Sequence, residues 1–388
     1  MIHLSGLLWP IHLKPMPDEL LSSWLMRITR AYITTPHTFV RKLWPDIEIW
    51  NRDLDRLAPM TIIEDLARHT GVSIQRAINT TLRAYEGVVF EHLAVNGLTS
   101  WILPLQIWHR VHLRRGQQYC PACLANGEQY FRRRWRLSLV TGCTEHGLVL
   151  LDCCPRCGAS VNFHRAAYWI PRLGSCYRCG YDLAQSIDVV EYSDPQEIRA
   201  QRHLQYVISR GFADIRGVGP VYSHLYLLGY RVICRYLLSR RGQPALFAIT
   251  RGHSLPSIKS VEHVPSNMDF APIQLRRHLI LAAWKLLAVW PDSFVESCRR
   301  YHIRGSDILG DDRLLPHWLQ RTLQQHINHM HYSPTVIELR SAIQYLDSRG
   351  IKATPTSIYQ VLGRAVPKDK AAYLQALAMT CKSGTNQG

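Results

Sequence analysis

Acidic residues are scarce in this chain: 29 Asp and Glu stand against 46 Lys and Arg in 388 residues, a formal charge of +17. The acids are scattered, and the adjacent Asp311 and Asp312 read as loop residues. No spaced set of carboxylates therefore argues for a two-metal nuclease. There is no GxxxxGK[ST] phosphate loop and no G-x-G-x-x-G after a strand, so the nucleotide-binding signatures are missing. A Ser-His or Cys-His nucleophile cannot be assembled either, and the chain reads as a binder with no enzymatic activity. No uncharged apolar run approaches a membrane span. The nearest, HLILAAWKLLAVWPD (278–292), carries Lys285 and reads as a buried helix. The opening MIHLSGLLWPIHLKP lacks a basic n-region and a small-residue cleavage site, so no secretory signal is expected and the chain is assigned to the cytoplasm.

What is present is a folded chain, 47% hydrophobic with 11 Trp and 18 Tyr, long enough for two or three domains. Its basic excess supplies phosphate attraction and fast association with nucleic acid without specifying sequence. The alternative is a solvated cationic face with no such partner.

Eleven cysteines are the other abundance. Seven of them, with one histidine, fall into four pairs of two-residue spacing: Cys120/Cys123, Cys143/His146, Cys154/Cys157 and Cys176/Cys179. That spacing turns both ligands of a tight knuckle towards one ion. Knuckles separated by roughly 15–20 residues make a zinc ribbon. The gaps here are nineteen (124–142) and eighteen (158–175). Sequential pairing therefore predicts one site of three cysteines and a histidine and a second of four cysteines, two zinc ions per chain. Both have four protein ligands and no open position, which suits structural rather than catalytic metal. Disulfides would not require this pairing, and a redox CxxC would need a thioredoxin-like setting. Cys153 is left over. Gly158 and Gly180 follow the last cysteines of their knuckles, where a turn needs positive φ.

The predicted fold is mainly α with small zinc-ribbon β elements. An N-terminal helical domain with a helix-turn-helix (1–112) precedes tandem zinc ribbons (113–192) and a C-terminal helical domain (193–388). DELLSSWLMRITRAY (18–32) has Leu21, Leu25, Ile28 and Tyr32 at helical spacing after Pro17. TIIEDLARHTGVSIQRAINTTLRAY (61–85) has the rhythm of a helix-turn-helix, with Leu66 and Ala67 inward, Gly71 ending the first helix and Ser73 capping the second. In a major groove, Ser73, Gln75, Arg76 and Asn79 would be its contacts; a hairpin used for packing is the other reading. Arg132, Arg133, Arg134 and Arg136 around Trp135 offer charge and an aromatic face to phosphates or bases. The same run could form a strand with Phe131, Arg133, Trp135 and Leu137 on one face, its arginines pinning the ribbons to a neighbouring domain through carboxylates. RAQRHLQYVISR, LYLLGYRVICRYLLSRR and QLRRHLILAAWKLLAVW read as helices of the last domain. SPTVIELRSAIQYLDSRGIKATPTSIYQVLG (333–363) is a second helix-turn-helix candidate, capped at Thr356 or Ser357, and KSGTNQG a disordered tail.

Four stretches resemble the TniQ/TnsD family: PMPDELLSSWLMR (15–27), YCPACL (119–124), YFRRRWRLSLVTGCTEHG (130–147) and LLDCCPRCG (150–158). Asp18, Glu19, Ser22, Ser23 and Trp24 occupy the family's acidic GES-x-x-SW segment, here without the glycine. The resemblance covers about residues 15–180 and carries the family's zinc ligands onto the eight residues paired above. It implies a target-selection protein of DNA transposition. Such a protein recognises a DNA site or an RNA-guided Cascade effector and recruits an AAA+ ATPase regulator, which brings the transposase. It also implies a homodimer on the effector in the RNA-guided branch. The rival from another class is a zinc-ribbon, helix-turn-helix transcription regulator.

Overall fold

A computed structural model describes residues 7–166, 172–253, 267–309, 315–327 and 334–363. Asp311, Asp312 and the closing KSGTNQG lie outside the described residues. The chain divides into two compact units, Met1–Leu323 and Gln324–Gly388. The expected boundaries at 112/113 and 192/193 both fall within the first unit.

The first unit opens with α1 (Leu21–Ala31), α2 (Pro36–Leu43), α3 (Leu54–Leu57), α4 (Met60–Thr70) and α5 (Ile74–Ile78). Helix α1 begins at Leu21 and not at residue 18, because Asp18 takes a left-handed φ of 58° and breaks the helical path. Its apolar stripe is buried as predicted at Leu21, Leu25 and Ile28, while Tyr32 stays half-buried. The opposite face is buried as well, so Ser22, Ser23 and Arg27 must find partners inside the protein. The α4–α5 turn forms as the sequence predicts. Gly71 closes α4 at φ 65°, and the Ser73 hydroxyl accepts the Arg76 N–H at 3.2 Å. Leu66 and Ala67 are buried. The second helix is short, however, and is followed by a 3-10 turn at Leu82–Tyr85.

A two-residue hairpin follows, β1 (Ile107–Trp108) against β2 (Val111–His112), with Trp108 opposite Val111. The cysteine region contains α6 (Pro121–Ala125) and otherwise turns, 3-10 segments and single antiparallel bridges, among them Tyr119 to Leu151, Gly142 to Val149 and Cys153 to Ser160. The strand that FRRRWRLSLV could have formed is not present; Arg133–Arg136 is one 3-10 turn. Phe131, Trp135 and Leu137 are buried regardless. Three apolar side chains of the run therefore enter the core without a strand, because the turn compresses the chain between them.

The remaining helices are α7 (Pro195–Arg210), α8 (Ser223–Leu238), α9 (Gln243–Thr250), α10 (Ile273–Ala288), α11 (Asp292–Arg300), α12 (Gly305–Leu309) and α13 (His317–Thr322). A hairpin, β3 (Phe212–Ile215) with β4 (Gly219–Tyr222), separates α7 from α8. Asp194 and Glu197 cap α7 reciprocally, satisfying two of the backbone N–H groups that a helix start leaves free. Helix α10 is the buried helix that HLILAAWKLLAVWPD predicts, covered over most of its surface. No helix among the described residues is long and apolar enough to cross a membrane.

The second unit is a helical hairpin, α14 (Val336–Ser348) and α15 (Pro355–Leu362), around Leu339, Ala342, Ile343, Leu346 and Ile358. Its cap comes earlier than predicted: Thr354 Oγ1 accepts the Ser357 N–H at 3.2 Å, because Pro355 already fits the first helical turn.

Candidate metal centres and the surface around them

The chain brings the eight paired residues into two groups, Cys120, Cys123, Cys143 and His146, and Cys154, Cys157, Cys176 and Cys179. Within each group all ligand atoms lie within 4.8 Å of one another. In the first, Cys123 Sγ is 3.7 Å from Cys143 Sγ, and His146 Nδ1 is 3.3 Å from Cys123 Sγ and 3.4 Å from Cys143 Sγ. In the second, Cys154 to Cys179 is 3.7 Å and Cys157 to Cys176 is 3.6 Å. A tetrahedron of thiolates about 2.3 Å from zinc has edges of about 3.8 Å, so both groups fit one such ion each.

Three knuckles share one backbone design. The N–H of Gly147, Gly158 and Gly180 returns to the carbonyl of Cys143, Cys154 and Cys176, at 2.8, 2.9 and 2.9 Å. Each glycine sits at φ near 70°, as predicted for Gly158 and Gly180. The first knuckle differs: Cys120 precedes α6, and Pro121 fits its first turn. Four thiols at such distances cannot all ionise without a cation. Hydrogen bonds from Cys120 and Cys123 draw Cys143 well down, while burial pushes Cys154 up. Cys179 falls to about 7; burial opposes this, but the Tyr181 N–H and the neighbouring thiols stabilise its thiolate. With Nδ1 of His146 facing the thiols, its Nε2 faces outward, 3.1 Å from the Asn126 side-chain amide nitrogen. Cys153 stays outside both groups; its carbonyl accepts the Tyr119 hydroxyl at 3.1 Å.

The acidic segment at the start of α1 clamps this region to the helix. The Glu19 carboxylate accepts Arg27 Nη1 at 2.7 Å, Ser23 Oγ at 2.8 Å and the Met16 N–H at 2.8 Å. Ser23 Oγ in turn accepts the Phe131 N–H at 2.9 Å, and the Leu20 N–H donates to the Phe131 carbonyl at 2.9 Å. Ser22 donates through its backbone and hydroxyl to Asp55, both at 2.8 Å. Burial pushes Glu19 up to about 7 despite Arg27, and Asp55 up to about 6 despite Arg136.

The four arginines predicted to meet nucleic acid all turn to carboxylates inside the protein. Arg136 has no exposed side-chain surface; it donates to Asp53 at 2.7 and 3.1 Å and sits 3.5 Å from Asp55. Nucleic-acid contact by Arg136 is thereby corrected. Trp135, 1% exposed, offers no aromatic face to a base. Arg133 and Arg134 face Asp18 at 3.5 and 3.3 Å, and Arg132 and Arg134 both bond Glu145. Glu145 stays below the usual carboxylate range: burial opposes this, but Arg132 and Arg134 outweigh it. Arg133 also spans to the end of α5, bonding the Asn79 carbonyl and stacking on Tyr85. The pinning role, one of the two readings of this run, is the one its geometry fits. Around α5, Ser73, Gln75, Arg76 and Asn79 keep solvent-facing surface; Gln75 bonds Asn79 at 3.1 Å and Arg76 reaches the Pro15 carbonyl at 3.1 Å.

Sequence reasoning missed the buried anchors from the other side. Arg276, fully buried, donates to the carbonyls of Ser138 and Ala271 and to Gln118. Arg277 grips Glu197 with two bonds of 2.8 and 2.9 Å and adds Glu191 at 2.7 Å. Two adjacent arginines within an apolar helix were the available signal, since a charge on a buried face needs a partner.

Comparison with curated proteins returned no match. The TniQ family model matches residues 10–150, from the segment before α1 through the group of Cys120, Cys123, Cys143 and His146. TniQ proteins are transposition-associated adaptors. Over residues 10–150, then, the chain is similar to the TniQ family, and the match does not extend to the rest of it.

Proposed function

We propose that this chain is a non-catalytic target-selection adaptor for DNA transposition, which links a DNA target or an RNA-guided Cascade effector to an AAA+ ATPase regulator and its transposase. The observation that supports it is the interlock of the family stretch. The acidic residues at the start of α1, the pinning arginines and the first metal group form one network within residues 10–150. Such a network builds a rigid surface of the kind an adaptor needs. Two zinc ions would be held, by Cys120, Cys123, Cys143 and His146 and by Cys154, Cys157, Cys176 and Cys179. They would fix ribbons too small to bury a core of their own. The segments 1–112, 113–192 and 193–388 name successive roles along the chain, and Ser73, Gln75, Arg76 and Asn79 are its groove-facing candidates. The working form would be a homodimer in the cytoplasm.

Co-purification of the full-length chain with the AAA+ ATPase encoded on the same DNA tests this reading. The chain is expected to retain the ATPase in the presence of target DNA or effector. A chain that binds one duplex tightly by itself and never retains the ATPase would be the transcription regulator instead.

A further inference from the structure

The β1–β2 hairpin is built around a turn that its residues do not favour. His109 and Arg110 are both left-handed, at φ 45° and 65°, the pattern of a two-residue turn usually filled by Asn-Gly. Strain of this kind, kept at a surface tip, points to a use for the side chains that occupy it. Trp108, just before the turn, is 66% exposed, with the His109 ring edge-on at 4.7 Å.

The base of the hairpin is held firmly. His164 stacks on Trp50 at 4.8 Å, and its Nε2 lies 2.9 Å from the Arg110 carbonyl; burial lowers its pKa to about 4, which keeps the ring neutral. His112 Nδ1 meets the Val161 carbonyl at 3.0 Å. A rigid base presents the tip without ordering cost on binding.

Two cavities are lined in part by the hairpin, one through Arg110 and the other through Ile107. One, of about 200 Å3, is walled by Trp44 and Trp50 and rimmed by His37, Arg41 and Arg110, with Glu48 as its one acid. Glu48 is bonded to Asn51 at 2.8 Å. The other, of about 570 Å3, carries Arg52, Arg56 and Arg114, the last 4.4 Å over the Phe270 ring, with Asp53, paired to Arg136, as its acid. Among the described residues, Arg41, Arg52 and Arg110 have no carboxylate partner, in contrast to Arg132, Arg133, Arg134 and Arg136. The smaller cavity is below the ~300–1,000 Å3 typical of small-molecule sites, so it takes a group rather than a molecule.

An exposed indole on a hairpin whose neighbouring residues line two arginine-bearing cavities matches the chemistry of an unpaired base flanked by backbone phosphates. We propose that the β1–β2 hairpin binds single-stranded nucleic acid, with Trp108 as the stacking surface and Arg41 and Arg110 on the phosphates. This goes beyond the adaptor reading, and its failure would leave co-purification with the ATPase unaffected.

The test is fluorescence anisotropy of the full-length chain with a labelled single strand of about 16 nucleotides and with the matching duplex, each over a range of salt. Trp108→Ala is expected to weaken single-strand binding about 5- to 150-fold, the effect of one stacked base, with the salt dependence unchanged. The double variant Arg41→Ala/Arg110→Ala is expected to lower the slope of log K against log salt by about 1.4, two phosphates at about 0.7 each. His109→Asn/Arg110→Gly relaxes the turn, so it should raise the thermal midpoint while lowering that slope by about 0.7, which separates lost binding from lost fold. Wild-type affinity in Trp108→Ala, or an equal loss on single strand and duplex, overturns the proposal.

Discussion

Glu19 shows how a buried carboxyl can be structural rather than chemical. Its carboxylate receives three donors and is nevertheless pushed up to about 7, because burial outweighs Arg27. A carboxyl whose native pKa exceeds its unfolded value binds its proton more tightly when folded. The stability it contributes is therefore fully present below about pH 4.5 and is lost as pH rises towards 7. Glu19→Gln removes this dependence. Denaturant unfolding across pH 4.5–7 should show the wild type losing on the order of 3 kcal/mol relative to the variant, with no further divergence above that window. A constant difference across the window would show that Glu19 ionises normally. Arg136 belongs to the same scale. Its sequence context suits a phosphate or a carboxylate equally, and only the fold decides, because Asp53 and Asp55 lie more than eighty residues away in the chain.

Among the elements, the knuckles were the most legible, because their signal is local. Two-residue spacing and a following glycine state both the ligands and the turn, and the structure brings the eight together with Gly158 and Gly180 left-handed. The α4–Gly71–Ser73–α5 turn was legible for the same reason, since capping chemistry acts within a few residues. The conformation of 131–137, where a strand was one reading, was not, because alternation of apolar residues also fits a 3-10 turn whose neighbours bury on both sides. The start of α1 was misplaced because the left-handed Asp18 answers to Arg133 and Arg134, distant in sequence. Metal dependence is the prediction that belongs here. Cys154→Ser should lower zinc, measured by native mass spectrometry, from two ions per chain to one. It should also reduce the thermal midpoint, since binding and local folding are linked. Unchanged zinc content in this variant would remove Cys154 from the site.

At the scale of the whole molecule, the first unit is held by charges that cross its length. Arg27 joins α1 to Glu128 at 2.7 Å, Arg136 joins the ribbon region to Asp53, and Arg276 and Arg277 join α10 to Gln118, Ser138, Glu191 and Glu197. Breaking a buried pair by removing one partner costs about 3–5 kcal/mol, so these arginines are committed to structure. The excess charge of +17 is then available elsewhere, on residues such as Arg41, Arg52 and Arg110. None of this division could be read from composition, which counts arginines without their partners. Transposition itself tests the adaptor reading most directly. A marked element is introduced into cells with its transposase and AAA+ ATPase, with and without this chain, and the insertions are mapped. Insertions concentrated at one target, and lost or scattered when the chain is omitted, are the predicted result; the same frequency and the same distribution of sites without it would contradict the claim.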